Sequence, residues 1–237
     1  MIPVMLSLTA LIAYFFGSIS TVNFTSHLYF KCNLAKKYPR DNEGITRFWL
    51  DQGFKGTAVL FGTEIVKTLI PVLLGGLLMN LTGHADVGFA FAMFAAALGE
   101  VFPIMYEFEG ETCLVVVTVS LLLVRPGVAI FALLAFLAVY LIWNYVSLSA
   151  LAGAVTMWFV SLLTIDTPIV RRLVLLTALL IVIQNRRGLI DLLRGKGEKF
   201  VLRKDLSYVF DKNMFDADEE PDGRKKKKDT KKRPGTR

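Results

Sequence analysis

Long runs of apolar residues alternate with short polar segments along most of this chain. Several runs approach or exceed the roughly 18–20 residues that an α-helix needs to cross a hydrocarbon layer of about 30 Å. A soluble α/β domain would need turn signals every 8–12 residues or so, and these runs are too long for that. The pattern predicts an all-α integral membrane protein, and a hydrophobic content of 54% agrees with it.

Seven apolar segments are predicted to cross the membrane. Their approximate bounds are 2–29, 57–81, 86–106, 113–124, 127–146, 149–163 and 168–184. The fourth and sixth are short for a span, which is typical of tilted, broken or protein-enclosed helices. The first run has no basic segment before it and no cleavage site, so we expect it to be retained as a helix.

Positive charge is concentrated in two parts of the chain, at residues 31–55 and after residue 184. The link at residues 82–86 has no lysine or arginine. By the positive-inside rule the first loop and the tail are cytoplasmic, and with seven spans the N-terminus lies outside. The loops at 31–55, 107–112 and about 147–149 then share the cytoplasmic side, where we expect them to form one site.

The chain is expected to divide into a membrane domain, residues 1–200, and a charged tail, residues 201–237. The tail contains an acidic block followed by a lysine block, with no apolar periodicity. Such a segment cannot bury enough surface to offset its chain entropy, so it is predicted to be disordered. Its lysines are expected to contact anionic lipid headgroups, and nucleic-acid binding is not expected.

Two charges lie deep in the second apolar segment. Glu64 and Lys67 are three residues apart, so they share one helix face, and both should point to a polar interior because ions facing lipid are costly. They either line a polar cavity or form a buried pair that only fixes helix packing. Hydroxyl groups of the first segment, including that of Ser18, are expected to bond helices together.

The segment at residues 31–55 is basic and too long for a simple connector. It indicates capture of an anionic headgroup or phosphate, with glycines such as Gly44 letting backbone N–H groups approach an oxyanion. The alternative is charge that only sets topology. Its cations are Lys31, Lys36, Lys37, Arg40, Arg47 and Lys55.

The segment "GEVFPIMYEFEGETC" at residues 99–113 is acidic, although the whole chain has a net charge of +7. Its carboxylates could serve as oxygen ligands for Mg²⁺ or Ca²⁺, but their spacing follows no known metal-binding loop, so neither a metal nor a cofactor is predicted. Cys32 and Cys113 show no ligand spacing and are expected to be free thiols. The acidic side chains are Glu100, Glu107, Glu109 and Glu111.

Several ordered motifs resemble those of the bacterial acyl-phosphate:glycerol-3-phosphate acyltransferases. They are "FGSISTVNF", "NEGIT" with "GFKG", "GTEIVKT", "AALGEVFPIMYEFEGETC", "YVSLSAL" and "NRRGLIDLLRGKGEKF". The resemblance implies a seven-helix protein of the bacterial inner membrane that uses acyl phosphate and glycerol 3-phosphate in phospholipid synthesis. The substrate-binding residues that it implies are Ser18, Lys36, Lys37, Asn42, Gly44, Thr46, Arg47, Glu64 and Lys67.

The chain also departs from the family pattern. Ser20 replaces a proline, Arg47 replaces an asparagine, and a basic, glycine-rich loop that would hold acyl phosphate becomes acidic. This degenerate loop is expected to repel phosphate. An alternative function is therefore a catalytically silent relative that acts in lipid binding, regulation or partner contact. In the loop, a histidine is replaced by Glu100, lysines by Glu109 and Thr112, and a glycine by Glu111, while Gly110 is kept.

Overall fold

The structure of the protein is a computed structural model, which describes residues 2–29, 44–106, 110 and 112–194. For residues 26, 28, 29 and 44–53 it describes the backbone only. The described residues form α-helices and one short 3-10 turn, Ile104–Tyr106, with no strand among them. The helices are α1 (Ile2–Gly17), α2 (Thr21–Tyr29), α3 (Gly44–Asn80), α4 (Ala85–Val101), α5 (Leu114–Val124), α6 (Pro126–Trp143), α7 (Val146–Thr164), α8 (Pro168–Gln184) and α9 (Arg186–Leu193).

Four stretches of helix have the length and apolar composition of a membrane crossing: Phe54–Asn80, Ala85–Tyr106, Pro126–Trp143 and Val146–Thr164. Helices α8 and α9 add a fifth if they are taken together across the 50° bend between them. Helices α1 and α5 are apolar but shorter, with 16 and 11 residues. The all-α membrane architecture is confirmed, whereas the predicted count of seven spans is not. The predicted tail lies outside the described residues.

The first predicted segment, residues 2–29, is not one helix. It breaks after Gly17, and α2 begins at Thr21. The Ser18 hydroxyl donates to the Tyr14 carbonyl at 2.9 Å, and the Asn23 N–H donates to the Ser20 hydroxyl oxygen at 3.3 Å. Ser20 therefore caps the N-terminus of α2, a role that serine fills well.

Helix α3 begins at Gly44, so the second half of the predicted loop at 31–55 is helical instead. It has 37 residues, a length of about 55 Å at 1.5 Å per residue. The hydrocarbon layer is only about 30 Å thick. The first part of α3 is thus long enough to continue the helix beyond the membrane.

Helix α4 is the centre of the bundle, packing against α1, α3, α5 and α8. Small side chains let its neighbours approach closely, as is common between membrane helices. A methyl group on Gly99 would overlap the Tyr14 carbonyl oxygen of α1, and one on Gly17 would overlap the Ala96 carbonyl oxygen of α4. The alanines buried on α4 are Ala90, Ala92, Ala95, Ala96 and Ala97.

Close packing of α1 on α4 predicts that Gly99→Ala destabilises the protein. The added methyl group meets backbone that cannot move aside easily, so we expect a loss of about 1–3 kcal/mol. Thermal unfolding in detergent measures it.

Gly62→Ala in α3 is the matched control, because a methyl group there meets nothing within 4 Å. Alanine also has the higher helix propensity, so this variant should unfold at the same temperature or slightly higher. Equal losses of stability in Gly99→Ala and Gly62→Ala would contradict the close packing of α1 on α4.

Candidate functional site

The side chain of Lys67 lies at the junction of three helices. Its Nζ atom is 2.6 Å from Glu100 Oε2 of α4 and 3.1 Å from Glu64 Oε1 one turn earlier in α3. Nζ also donates a hydrogen bond to the Ile19 carbonyl oxygen at 3.0 Å. We call these groups the Lys67 cluster: Lys67, Glu64, Glu100 and the carbonyl of Ile19.

Local structure explains why each of these groups faces inward. Glu64 and Lys67 are in register on one face of α3, and Glu100 lies in the last turn of α4. Ile19 follows the end of α1, where carbonyl groups have no partner within the helix. A lysine ammonium is a favourable partner for such carbonyls.

The Lys67 ammonium makes two hydrogen bonds and one further ion-pair contact within this cluster. An ammonium has three donors, and Glu64, Glu100 and Ile19 provide three oxygens at hydrogen-bonding or ion-pair distance. The three residues are buried. Lys67 therefore cannot contact a substrate phosphate without giving up one of these partners.

A narrow cleft lies beside the Lys67 cluster, lined in part by Thr21, Glu64, Glu100 and Thr112. The space open to the centre of a water molecule is about 10 Å³, which is room for roughly one water. Among the described residues, the buried Thr21 hydroxyl has no hydrogen-bond partner. The cleft is polar on several sides, but a glycerol phosphate does not fit in it unless it widens.

Glu100 was predicted to belong to the acidic loop, and the structure places it in α4 instead. It is 4% exposed and faces Lys67 rather than solvent. Its replacement of the family histidine therefore adds a buried ion pair with a helix lysine. The predicted pairing of Glu64 with Lys67 is present, and Glu100 makes it a three-residue cluster.

The loop after α4 folds back on the end of that helix. A methyl group on Gly110 would overlap the carbonyl oxygen of Glu100. The Tyr14 hydroxyl donates to the Phe102 carbonyl at 2.8 Å, and the Cys113 N–H donates to the Gln184 side chain at 3.2 Å. These contacts tie both ends of the loop to neighbouring helices.

The other predicted site residues are only partly placed. Ser18 is buried beside Gly99 and bonded to its own helix. Gly44, Thr46 and Arg47 lie in the first turn of α3, where only the backbone is described. Outside the described residues lie Lys36, Lys37, Asn42, Glu107, Glu109 and Glu111, with Cys32.

Sequence reasoning missed two parts of the cluster. The Ile19 carbonyl carries no side-chain signal at all. Glu100 was visible as an acid at the end of an apolar run, but its partner is 33 residues away. Cys113 is free, as predicted. Among the described residues, no three His, Cys, Asp or Glu side chains converge on a metal site.

Burial of the cluster predicts that Lys67→Met is strongly destabilising. The change leaves two carboxylates facing each other in a low-dielectric interior, and the expected loss is about 3–5 kcal/mol. Adding Glu100→Gln should recover part of it. The midpoint of thermal unfolding at neutral pH gives the measurement.

Arg125→Met is the matched control, because Arg125 pairs with Asp86 at 3.2 Å in a partly exposed position. Exposed pairs contribute about 0–1 kcal/mol. If Lys67→Met is as mild as this control, the three side chains do not interact as the structure indicates.

Comparison with known proteins identifies the family. A family model described as glycerol-3-phosphate acyltransferase matches residues 7–195. The chain is 28% identical over 192 residues to the glycerol-3-phosphate acyltransferase of Thermoanaerobacter pseudethanolicus, covering 81% of this chain and 94% of that protein. It is 26% identical over 194 residues to glycerol-3-phosphate acyltransferase 2 of Bacillus anthracis, covering 82% and 98%.

The fold is also similar to a solved structure. The crystal structure of PlsY (YgiH), an integral membrane glycerol 3-phosphate acyltransferase, in its glycerol 3-phosphate form superposes with a TM-score of 0.67. The similarity covers 86% of this chain and 98% of PlsY at 21% identity. The comparisons favour the enzyme family over the alternative of a silent relative. The chain belongs to the glycerol-3-phosphate acyltransferase family.

Proposed function

We propose that this protein is a membrane acyltransferase of phospholipid synthesis, which transfers an acyl group from acyl phosphate to glycerol 3-phosphate. The observation that carries the proposal is the family match over residues 7–195. The relatives are covered over 94% and 98% of their own length, so the likeness is not confined to one motif. Fold similarity to PlsY supports the same assignment.

The reaction needs no covalent enzyme intermediate. A hydroxyl oxygen of glycerol 3-phosphate attacks the acyl carbonyl, the new ester bond forms, and the bond from the carbonyl carbon to the phosphate oxygen breaks. The hydroxyl proton leaves with the departing phosphate. The protein's part in this scheme is to hold two anionic substrates close together and in line.

The Lys67 cluster acts in this scheme by positioning. It fixes the point where α1 ends, the middle of α3 and the last turn of α4. The last turn of α4 leads into the acidic loop that is predicted to bind acyl phosphate. Its formal charge is −1 with both carboxylates ionised, so it does not attract phosphate. The phosphates then depend on cations of the first loop, for which the candidates are Lys36, Lys37 and Arg47.

The protein should form lysophosphatidate when it is purified and supplied with acyl phosphate and labelled glycerol 3-phosphate. The acidic loop should limit the reaction, so Glu109→Lys, Glu111→Gly and Thr112→Lys together should lower KM for acyl phosphate by roughly tenfold or more. Each charge-assisted hydrogen bond to phosphate is worth about 1.5–3 kcal/mol, which corresponds to this change.

A matched variant with Glu109→Gln and Glu111→Gln separates removal of negative charge from the creation of a basic loop. It should improve KM less than the basic variant does. Absence of product from both the native protein and the basic variant, under conditions where the Thermoanaerobacter pseudethanolicus relative is active, would overturn the proposed function.

The proposed orientation has the N-terminus outside and the tail in the cytoplasm. The Arg125–Asp86 ion pair joins the α3–α4 turn and the α5–α6 turn at one end of the bundle. That end has fewer cations than the other, which supports placing it outside.

Cysteine labelling tests the orientation in a background that lacks Cys32 and Cys113. Single cysteines at Lys37, Glu109 and Lys226 should react only with a reagent applied from the cytoplasm. One at His84, in the α3–α4 turn, should react only from outside. Reaction of the position 109 cysteine from outside would show that the acidic loop does not share a side with the basic loop.

A further inference from the structure

A groove between α7 and α8 shares no residue with the cleft beside Lys67. Its volume is about 570 Å³, within the roughly 300–1,000 Å³ of sites that hold small ligands. It opens on the surface of the bundle, because Trp158, Leu176 and Leu179 are about half exposed. Its lining is apolar apart from one charged side chain, that of Arg172.

The dimensions of the groove suit one leaflet of a bilayer. Along α8 it extends from Arg172 to Val182, ten residues or about 15 Å. This is half of a hydrocarbon layer of about 30 Å. Arg172 is one turn into α8, near the α7–α8 turn, so its long side chain can reach the headgroup level while the rest of the groove stays among acyl chains.

Within the described part of the chain, Arg172 has no ion-pair partner. Its side chain and that of Arg171 make no ion pair or hydrogen bond among the residues that the structure describes. Both lie near the N-terminus of α8, where the helix dipole disfavours a cation. An arginine at the edge of the hydrocarbon layer also favours an anionic partner, because an unpaired charge is costly there.

Membrane topology does not account for these arginines. They lie at the N-terminal end of α8, whereas α9 and its arginines follow the C-terminal end. In the proposed orientation the N-terminal end is on the outer side, where the positive-inside rule predicts few positive charges. A phosphate group fits them better, since a guanidinium binds phosphate with two parallel hydrogen bonds. An apolar groove that ends at an arginine matches the acyl chain and the charged headgroup of an anionic phospholipid.

We propose that the groove between α7 and α8 binds an anionic phospholipid of the bilayer, whose acyl chain lies along α8 and whose phosphate pairs with Arg172. The site is separate from the acyl-transfer site and does not depend on the proposed function. Only Arg172 of the two arginines lines the groove, so Arg171 provides a matched control.

Trp158 is a built-in probe, because it lines the groove. The chain has 3 tryptophans, and Trp49→Phe with Trp143→Phe leaves Trp158 alone. The variant with Trp158 as its single tryptophan is reconstituted in vesicles that mix unlabelled lipid with brominated phosphatidylglycerol or brominated phosphatidylcholine. Quenching of Trp158 then gives the relative affinity of the groove for each lipid.

We expect phosphatidylglycerol to bind about fivefold more strongly than phosphatidylcholine, the effect of one cation near an anionic headgroup. Arg172→Gln should bring the ratio close to one, whereas Arg172→Lys should keep most of it and Arg171→Gln should leave it unchanged. Circular dichroism checks that each variant is folded.

Three results would overturn the proposal. Equal quenching by both lipids in the parent protein would mean that the groove does not select an anionic headgroup. If Arg171→Gln and Arg172→Gln lower the preference for phosphatidylglycerol equally, the preference comes from general surface charge and not from the groove. Absence of quenching by either lipid would mean that another occupant, such as a second copy of the chain, covers Trp158.

Discussion

A lysine ammonium inside a helix bundle needs opposite charge and hydrogen-bond acceptors, and Lys67 contacts both where α1, α3 and α4 meet. Two carboxylates and one backbone carbonyl surround it. Because an unpaired ion in this environment is far more costly than a paired one, these three helices cannot shift independently. The break between α1 and α2 and the start of the loop after α4 depend on the same contacts.

Close packing of backbones makes this arrangement possible. Lys67 of α3 contacts both the end of α1 and the last turn of α4, and glycines at positions 17 and 99 let α1 and α4 approach closely. Ser18 is buried next to it and keeps its hydroxyl satisfied within its own helix. The polar cluster and the small-residue contact therefore support each other, since neither would form at a wider helix spacing.

The sequence predicted the membrane class well because apolar runs depend only on local composition. The pairing of Glu64 with Lys67 was also predictable, since it follows from helical spacing. Glu100 falls within the predicted third segment, 86–106, but it was grouped with the acidic loop, because its pairing depends on the distance between α3 and α4, which no local pattern reports. The break after Gly17 was missed for a similar reason: the run stays apolar on both sides, and only two serine hydroxyls mark it.

Most of the candidate substrate contacts remain predictions from the family resemblance. Ser18 is placed, and so is the backbone of Gly44, Thr46 and Arg47. The structure changes the interpretation of one departure from the family pattern. An acid at position 100 was expected to weaken phosphate binding directly, and it instead completes the partners of a helix lysine.

The buried contact between Lys67 and Glu100 has a consequence for how this branch of the family can diverge. Positions 67 and 100 are distant along the chain, yet a change at one alters the charge balance that the other experiences. Drift from glutamate to an uncharged residue at position 100 would leave the ammonium with one acceptor fewer. A substitution at either position therefore calls for a compensating change at the other.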